Sequence, residues 1–217
     1  MIKTDYILMI LNCKKYQHKA ELQKQGWLTN IELFFNLKYF HVIGDKELCK
    51  DKEYIFDFEN KIIYVNTADD YMSLPAKVIT GYKAINETFD YKYILKTDDD
   101  QMLYKEGEFS KIIFLLEKQI SYYGGKIWHH NGGIHLSPNH PEMPKNIMVE
   151  PCTFASGRFY YLHKDLVKNI LTKFNIIKHR YLEDHAVGFY IDKNYKQTMV
   201  YIDTDLMFKD IILSNNI

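Results

Sequence analysis

An apolar run that ends in three consecutive acids, residues 93–100, constrains the fold most strongly. Open α/β sheets place their ligand sites at the carboxyl ends of their strands, so a strand that carries Asp98, Asp99 and Asp100 at its tip favours such a sheet. Carboxylates packed this closely repel one another, and a divalent cation that also binds diphosphate oxygens would hold them together. A solvated acidic turn is the alternative interpretation of the three acids taken alone.

Strand-like runs alternate with helical ones along the chain, and no repeat or linker divides it. Apolar spacing and turn residues predict strands at 5–11, 38–43, 61–65, 91–96, 124–128 and 199–202. The same patterns predict helices at 16–28, 73–88, 109–120, 162–174 and 183–191, with a loop at 128–146. This alternation predicts an α/β fold in which a single domain, 1–217, has a mainly parallel, Rossmann-like sheet with helices on both faces. The region from about residue 124 onward is less regular and is expected to be mixed.

Charge and cysteine content narrow the class of protein. The 28 basic residues balance the 28 acidic ones, so no overall field would recruit nucleic acid. Cys13, Cys49 and Cys152 are too scattered for a disulfide framework or a paired metal site, which suits a reducing compartment. The apolar run at 6–11 is too short to span a bilayer and lacks the flanks of a signal peptide. We therefore expect a soluble, cytoplasmic protein with no membrane span and no nucleic-acid partner.

Several short motifs follow one another in the chain. Residues 95–100 read L-K-T-D-D-D and residues 182–188 read L-E-D-H-A-V-G. Others lie at 13–28, 54–58, 66–77, 124–127 and 151–167. In their order along the chain, the motifs resemble those of the β-1,3-galactosyltransferase and Fringe-like glycosyltransferases, which have the GT-A fold. The motif at 95–100 matches its family counterpart residue for residue. Animal members carry a membrane anchor, and the lack of one here predicts a viral or bacterial relative.

The resemblance implies a nucleotide-sugar donor, usually UDP-linked, a glycan or glycoprotein acceptor, and a Mn²⁺ (or Mg²⁺) ion. Such a cation would offset the negative charge that develops on the leaving diphosphate. About residues 1–123 would then bind the nucleotide, and about 124–217 would carry the acceptor and catalytic groups. Within the D-x-D pattern, the resemblance implies that Asp100 binds the metal directly and that Asp98 faces the ribose or the metal's water shell. Asp99 would turn inward and brace the loop.

The resemblance also implies nucleotide-sugar contacts away from the acid tip. Lys77 matches a family lysine that would neutralise phosphate, and a solvated helix lysine is the alternative. Ser156 and Gly157 would form a glycine-rich turn where the backbone approaches the transferred sugar. Arg158 departs from the family pattern there, and would meet an acidic sugar, a phosphate or a surface carboxylate.

Two adjacent acids near the C-terminus are the candidate catalytic residues. An inverting transfer needs a carboxylate beside the acceptor hydroxyl, on the face of the sugar opposite the diphosphate. The resemblance gives this general-base role to Asp184, and Glu183 would position it or bind acceptor hydroxyls. In the alternative, both acids only complement the N-terminus of a helix. A retaining mechanism also stays open.

Other functions remain alternatives at this stage. A nucleotidyltransferase also uses acids at a strand tip, but it would carry a glycine-rich phosphate loop near the N-terminus, and residues 11–15 contain no glycine. A non-catalytic glycan-binding domain of the same fold would not need intact acids at both places. No histidine follows His185, so Asp203 or Asp205 would supply an additional metal ligand, or water would complete the coordination.

Overall fold

Eight strands pair into a central sheet in the computed structural model, which describes residues 1–118, 121–135 and 142–211. In chain order, the strands are β1 (Ile2–Lys3), β2 (Tyr6–Leu11), β3 (Leu37–Gly44), β4 (Tyr54–Asp57), β5 (Ile62–Val65), β6 (Phe89–Asp90), β7 (Tyr93–Asp98), β8 (Gln101–Leu103), β9 (Tyr123–His130), β10 (Gly133–His135), β11 (Ile147–Val149), β12 (Cys152–His163), β13 (Val200–Tyr201) and β14 (Phe208–Asp210). The α-helices are α1 (Gln17–Gln23), α2 (Thr29–Phe34), α3 (Leu74–Thr88), α4 (Glu106–Lys118), α5 (Lys164–Leu171), α6 (Phe174–Ile177), α7 (Glu183–Tyr190) and α8 (Lys193–Lys196).

The order of strands across the central sheet is β13-β9-β12-β7-β2-β3-β5-β4. The four strands β7, β2, β3 and β5 are parallel to their neighbours in this group, and β2 is buried along its whole length. Uniform burial is typical of a parallel strand that is covered on both faces. By contrast, β12 runs antiparallel to both β7 and β9. The predicted α/β fold is therefore confirmed: the first half is parallel except for its edge strand β4, which is antiparallel to β5, and the second half is mixed.

Alternate residues of β2 enter two different apolar cores. Ile7 and Met9 pack with residues of α3, α5 and α7, whereas Leu8 and Ile10 pack with Trp27 and residues of α4. Successive side chains of a strand point to opposite faces of the sheet, so the two cores lie on opposite faces. This arrangement confirms the prediction of helices on both faces.

The loop predicted at 128–146 is wrong in its first part, whereas residues 142–146 contain no strand or helix, as expected. β9 continues through His130, and β10 pairs with β11 in an antiparallel hairpin. Gly132 and Gly133 have φ angles of +83° and +109°, which glycine allows, and β10 continues the antiparallel ladder of β9 and β12 onto β11. Polar residues hid these strands from a pattern based on apolar spacing, and residues 136–141 lie outside the described part of the chain.

Other boundaries also differ from the sequence predictions. The helix expected at 16–28 is divided into a 3₁₀ turn at Lys14–Tyr16, α1 and a π-helical turn at Lys24–Leu28, and α2 follows. Sequence patterns missed β4, and they missed most of β12, whose last two residues lie in the helix predicted at 162–174. α4 begins earlier than expected, and residues 119–120 at its predicted end are not described.

Three further expectations concern the chain as a whole. No helix within the described ranges is both long and apolar enough to cross a membrane. Cys13, Cys49 and Cys152 are free thiols. The pairing of β7 with β12 joins the two proposed halves in one sheet. The division of labour between those halves, and the compartment, stay predictions.

Candidate active site

The tip of β7 carries the first acid of the predicted site. Asp98 is the last residue of β7, and its side chain is 37% exposed. The backbone N–H of Asp99 donates to the carbonyl of Leu11 at 3.0 Å, which fixes the tip against the end of β2. Burial, opposed by the charge of Lys96, raises the pKa of Asp98 to about 6. The carboxyl group of Asp98 therefore holds its proton more tightly than an ordinary aspartate, even with Lys96 beside it.

Lys96 is the centre of the site, although it was not among the site residues predicted from the sequence. Its side chain is 1% exposed, and Nζ donates to Asp98 Oδ1 at 2.7 Å, to the carbonyl of Gly157 at 2.7 Å and to Glu183 Oε2 at 3.2 Å. Burial disfavours the ammonium ion, but the charges of Asp98 and Glu183 outweigh burial and raise the pKa of Lys96. A lysine two residues before the acid lies on the same face of the strand, which is the signal that could have found it.

Tyr160 completes the hydrogen bonds of Glu183, and Tyr82 is in turn bonded to Tyr160. Tyr160 Oη donates to Glu183 Oε1 at 2.6 Å and lies 2.6 Å from Tyr82 Oη. Burial raises the pKa of Glu183, whereas Lys96 lowers it. The alternative interpretation was that Glu183 only complements the N-terminus of α7. Because Glu183 is buried and hydrogen-bonded on both oxygens, it does more than this.

Asp184 lies beside Glu183 at the start of α7 and is only partly buried. Its Oδ2 accepts the backbone N–H of Gly157 at 3.0 Å, and its Oδ1 accepts the backbone N–H of His185 at 2.7 Å. Burial raises the pKa of Asp184, although Lys96 and both N–H groups lower it. A carboxylate that is oriented in this way and harder to ionise than usual is suited to accept a proton.

Gly157 donates its N–H to Asp184 and lies beside Glu183, but it does not form the predicted turn. It lies within β12, where the pairing with β9 is irregular between Ala155 and Tyr160. A Cβ at this position would lie 3.2 Å from Lys96 Nζ and 3.4 Å from Glu183 Oε2. The glycine thus lets the strand backbone approach the buried charges, which is a different reason for glycine than the one expected.

A second glycine sets the position of α7. A Cβ on Gly188 would lie 2.2 Å from Phe154 Cβ, because α7 packs directly against β12. Real Cβ atoms do not approach this closely, so only glycine allows the helix to lie where it does. This contact explains the glycine at the end of the L-E-D-H-A-V-G motif and fixes the helix that begins with the two acids.

The other two acids of the β7 tip have different surroundings. Asp99 forms an ion pair with Lys19 at 3.4 Å and is 13% exposed. Burial, opposed by Lys19, raises the pKa of Asp99 to about 6. Its inward orientation agrees with the predicted bracing role. Asp100 Oδ1 accepts Gln101 Nε2 at 2.7 Å, and the same nitrogen donates to Asp210 in β14.

The carboxylates of Asp98 and Asp100 are hard oxygen donors of the kind that Mg²⁺ and Mn²⁺ prefer. Within the described ranges, no group of three or more His, Cys, Asp or Glu residues could hold an ion by itself. An ion that takes one or two carboxylates and completes its shell with phosphate oxygens and water fits such a donor set. The residues present therefore fit a metal that arrives together with a diphosphate.

Two other sequence candidates make contacts within the protein. Lys77 is 2% exposed, and Nζ donates to the carbonyl of Asn12 at 2.9 Å and to Asp69 at 2.8 Å. The solvated-lysine alternative is thus wrong, and the phosphate-binding role of Lys77 stays a prediction. Arg158 binds the surface carboxylates of Asp205 and Asp210 at 3.0 and 2.7 Å, the third of the contacts considered for it.

The proposed additional metal ligands also have structural partners. Asp205 pairs with Lys126 as well as with Arg158, and its hydrogen bond to Lys126 lowers the pKa of its carboxyl group. Asp203 accepts the backbone N–H of Asp205 at 3.2 Å and so caps a short 3₁₀ turn. Their predicted metal role is not supported by these contacts.

With this geometry in place, comparison with known proteins decides the family. Residues 19–198 match the galactosyltransferase family. The chain belongs to this family. The family assignment confirms the glycosyltransferase class expected from the sequence, whereas a closer relation to Fringe and a viral or bacterial origin stay predictions.

Three curated relatives of this family member share one name, UDP-GalNAc:beta-1,3-N-acetylgalactosaminyltransferase 2. The human protein is 28% identical over 148 residues, which cover 66% of this chain and 28% of the relative. The Xenopus tropicalis protein is 25% identical over 60% of this chain and 26% of the relative. The chain thus spans about a quarter of the length of the curated relatives it matches.

Solved structures resemble the fold of this family member at low sequence identity. A glycosyltransferase involved in glycosylation of the major capsid of PBCV-1 has a TM-score of 0.51 at 12% identity, and the match covers 92% of this chain and 83% of that one. The 2-C-methyl-D-erythritol 4-phosphate cytidylyltransferase of Francisella tularensis has a TM-score of 0.51 at 11% identity, with coverage of 98% and 96%. At these identities the likeness concerns the fold alone.

Proposed function

We propose that this chain transfers a hexose from a nucleoside-diphosphate sugar to a hydroxyl group of a glycan or glycoprotein. Membership of the galactosyltransferase family supports glycosyl transfer. The relatives' names specify UDP-N-acetylgalactosamine, so UDP-linked hexoses and N-acetylhexosamines are the first donors to test. The chain covers a small part of those relatives, and donor and acceptor are therefore part of the proposal.

One observation carries the proposal: a single hydrogen-bonded network joins the tip of β7 to the start of α7. Lys96 contacts Asp98 and Glu183, while Gly157 contacts both Lys96 and Asp184. Gly157 thus links the two acids: its carbonyl binds Lys96, which holds Asp98 on the donor side, and its N–H binds Asp184 on the acceptor side. A transferase needs this arrangement because its two substrates must meet at fixed distances.

On the donor side, Asp100 and Asp98 would hold a divalent metal ion together with the diphosphate. When bound, such an ion offsets the charge that develops on the leaving diphosphate. Lys96 keeps Asp98 in place through its 2.7 Å contact, and Asp99 anchors the tip through Lys19. These contacts fix the Asp98 carboxylate and the strand tip before any ligand arrives, so little reorganisation is needed on binding.

On the acceptor side, we assign Asp184 as the general base. The acceptor hydroxyl gives its proton to the Asp184 carboxylate, and its oxygen forms a bond to the anomeric carbon of the sugar. The bond from that carbon to the diphosphate oxygen breaks, and its electron pair leaves with the diphosphate. Attack from the opposite face inverts the anomeric configuration. The raised pKa of Asp184 supports this role, because a base is more effective when its pKa approaches the working pH.

The two alternatives are less well supported. Residues 11–15, at the end of β2, contain no glycine for a phosphate loop, and the likeness to cytidylyltransferases concerns the fold alone. A binding module without turnover would not need a buried lysine that links two acids. Turnover itself separates these alternatives from glycosyl transfer.

The test measures UDP release from UDP-galactose and UDP-N-acetylgalactosamine, with Mn²⁺ and with a chelator. We expect release only with the metal, and Asp184→Asn should lower it by at least about 10²-fold, the usual scale of a general base. Asp51→Asn, at an exposed acid, is the matched control and should leave the rate unchanged. A nearly normal rate in the Asp184 variant would refute the base assignment, and an NMR assay of the product anomer tests inversion.

A further inference from the structure

A groove of about 460 Å³ lies outside the acid site, at the carboxyl ends of β3 and β5. Lys46 and Thr67 line it from the segments that follow these two strands. Ser73 lines it from just before α3, Thr80 from the middle of α3, and Lys178 from the end of α6. The volume is typical of a small-ligand site, and open α/β sheets bind ligands outside the carboxyl ends of their strands.

The groove carries an excess of positive charge. Lys46 and Lys178 reach it from two distant parts of the chain. Among the described residues that line the groove, Glu53 is the single acid, and its carboxylate is already paired with Lys83. The lining therefore offers cations together with hydroxyl groups, which is the combination that binds an anion carried on a polar ligand.

An aromatic ring adds an apolar surface to the same groove. The ammonium groups of Lys178 and Lys83 lie 5.4 and 5.5 Å from the centroid of Phe174. Phe174 and Met72 both line the groove. An aromatic face next to hydroxyl and ammonium groups suits a sugar ring, which has an apolar face as well as hydroxyl groups.

One short 3₁₀ turn, Tyr71–Ser73, connects the groove with the acid site. Ser73 lines the groove. Met72 of the same turn lines the groove, and it packs with Leu182 against one apolar cluster. Leu182 directly precedes Glu183 and Asp184, so the groove lies close to the acid site.

We infer that the groove binds the anionic group of an acidic saccharide: a phosphate or carboxylate on the acceptor, close to the hydroxyl that is glycosylated. This inference rests on the proposed function, because it makes the ligand the acceptor of that transfer. Lys46 and Lys178 would bind the anion, and Phe174 would contact the neighbouring ring. The chain would then select acidic acceptors over neutral ones.

Calorimetric titration of the full chain with four probes tests this inference: glucose 6-phosphate, glucuronic acid, glucose and inorganic phosphate. We expect at least one acidic sugar to bind tenfold or more tightly than both glucose and inorganic phosphate. The first two probes separate a phosphate from a carboxylate as the preferred anion. The variant Lys46→Gln/Lys178→Gln should weaken this binding at least tenfold.

The matched control is Lys50→Gln/Lys168→Gln, which removes two exposed lysines that do not line the groove and changes the net charge equally. It should retain wild-type affinity. Equal affinity of both double variants for the acidic sugar, no binding of either acidic sugar, or equally tight binding of inorganic phosphate would each overturn the inference. UDP release by the wild type is read separately: release without saccharide binding overturns the groove alone, and saccharide binding without release overturns the acceptor role.

Discussion

The variant Tyr160→Phe tests whether the buried network stabilises the protein. The hydroxyl of Tyr160 lies 2.6 Å from both Glu183 Oε1 and Tyr82 Oη, and none of these groups can reach water to replace it. A hydrogen bond to a charged group contributes about 1.5–3 kcal/mol and a neutral one about 0.5–1.5 kcal/mol. We therefore expect the free energy of unfolding to fall by about 2–4 kcal/mol, measured from urea denaturation curves.

Tyr6→Phe is the matched control for this variant. Tyr6 is 2% exposed, and its hydroxyl has no hydrogen-bond partner among the described residues. Its removal should change the free energy of unfolding by less than about 1 kcal/mol, or raise it, because a buried unsatisfied hydroxyl is itself costly. Both substitutions remove a tyrosine hydroxyl. The difference between their free energies of unfolding therefore measures the contribution of the hydrogen-bonded network and not the loss of a buried oxygen. Equal losses in both variants would refute the reasoning.

The effect of Tyr160→Phe should also depend on pH. Burial raises the pKa of Glu183 above its ordinary value of 4.5, so the folded state binds the proton more tightly and gains stability as the pH falls through this range. Without the Tyr160 donor the ionised carboxylate is less stable, and its pKa rises further. The difference between variant and wild type should be largest near pH 8 and shrink towards pH 4. A difference that is independent of pH would contradict the role of the ionised carboxylate.

Three further variants test other parts of the site. Asp100→Ala should abolish manganese-dependent UDP binding in calorimetry without loss of metal-free stability, because it relieves repulsion among the acids; undiminished metal dependence would contradict the assignment. Gly188→Ala should lower stability by about 1–3 kcal/mol and slow transfer, because the added Cβ meets Phe154. Its control, Gly107→Ala in α4, has open space around the added atom and should hold or raise the melting temperature. Lys96→Met should lower the free energy of unfolding, measured by urea denaturation, by about 3–5 kcal/mol, because it leaves two carboxylates without their buried cation. A loss under about 1 kcal/mol would contradict the role of Lys96 as their shared partner.

Local patterns in the sequence determined the layers of the fold and the acids at the strand tip. β2 is a continuous apolar run, β7 begins with one, and α3 and α5 show helical spacing, so neighbouring residues in the chain carry the signal. The strands of the second half were harder to predict, because β12 includes polar residues that face the site and departs from regular alternation at Gly157.

Only the tertiary structure decided how the acids are held. Lys96 and Glu183 are 87 positions apart, and Tyr82 and Tyr160 are 78 apart, so no local pattern links them. A lysine in an apolar strand can face solvent or the core, and its partners become visible only when β7, β12 and α7 are packed together. Burial then sets its charge and those of the carboxylates around it, because desolvation depends on every atom nearby and not on the neighbours in the chain.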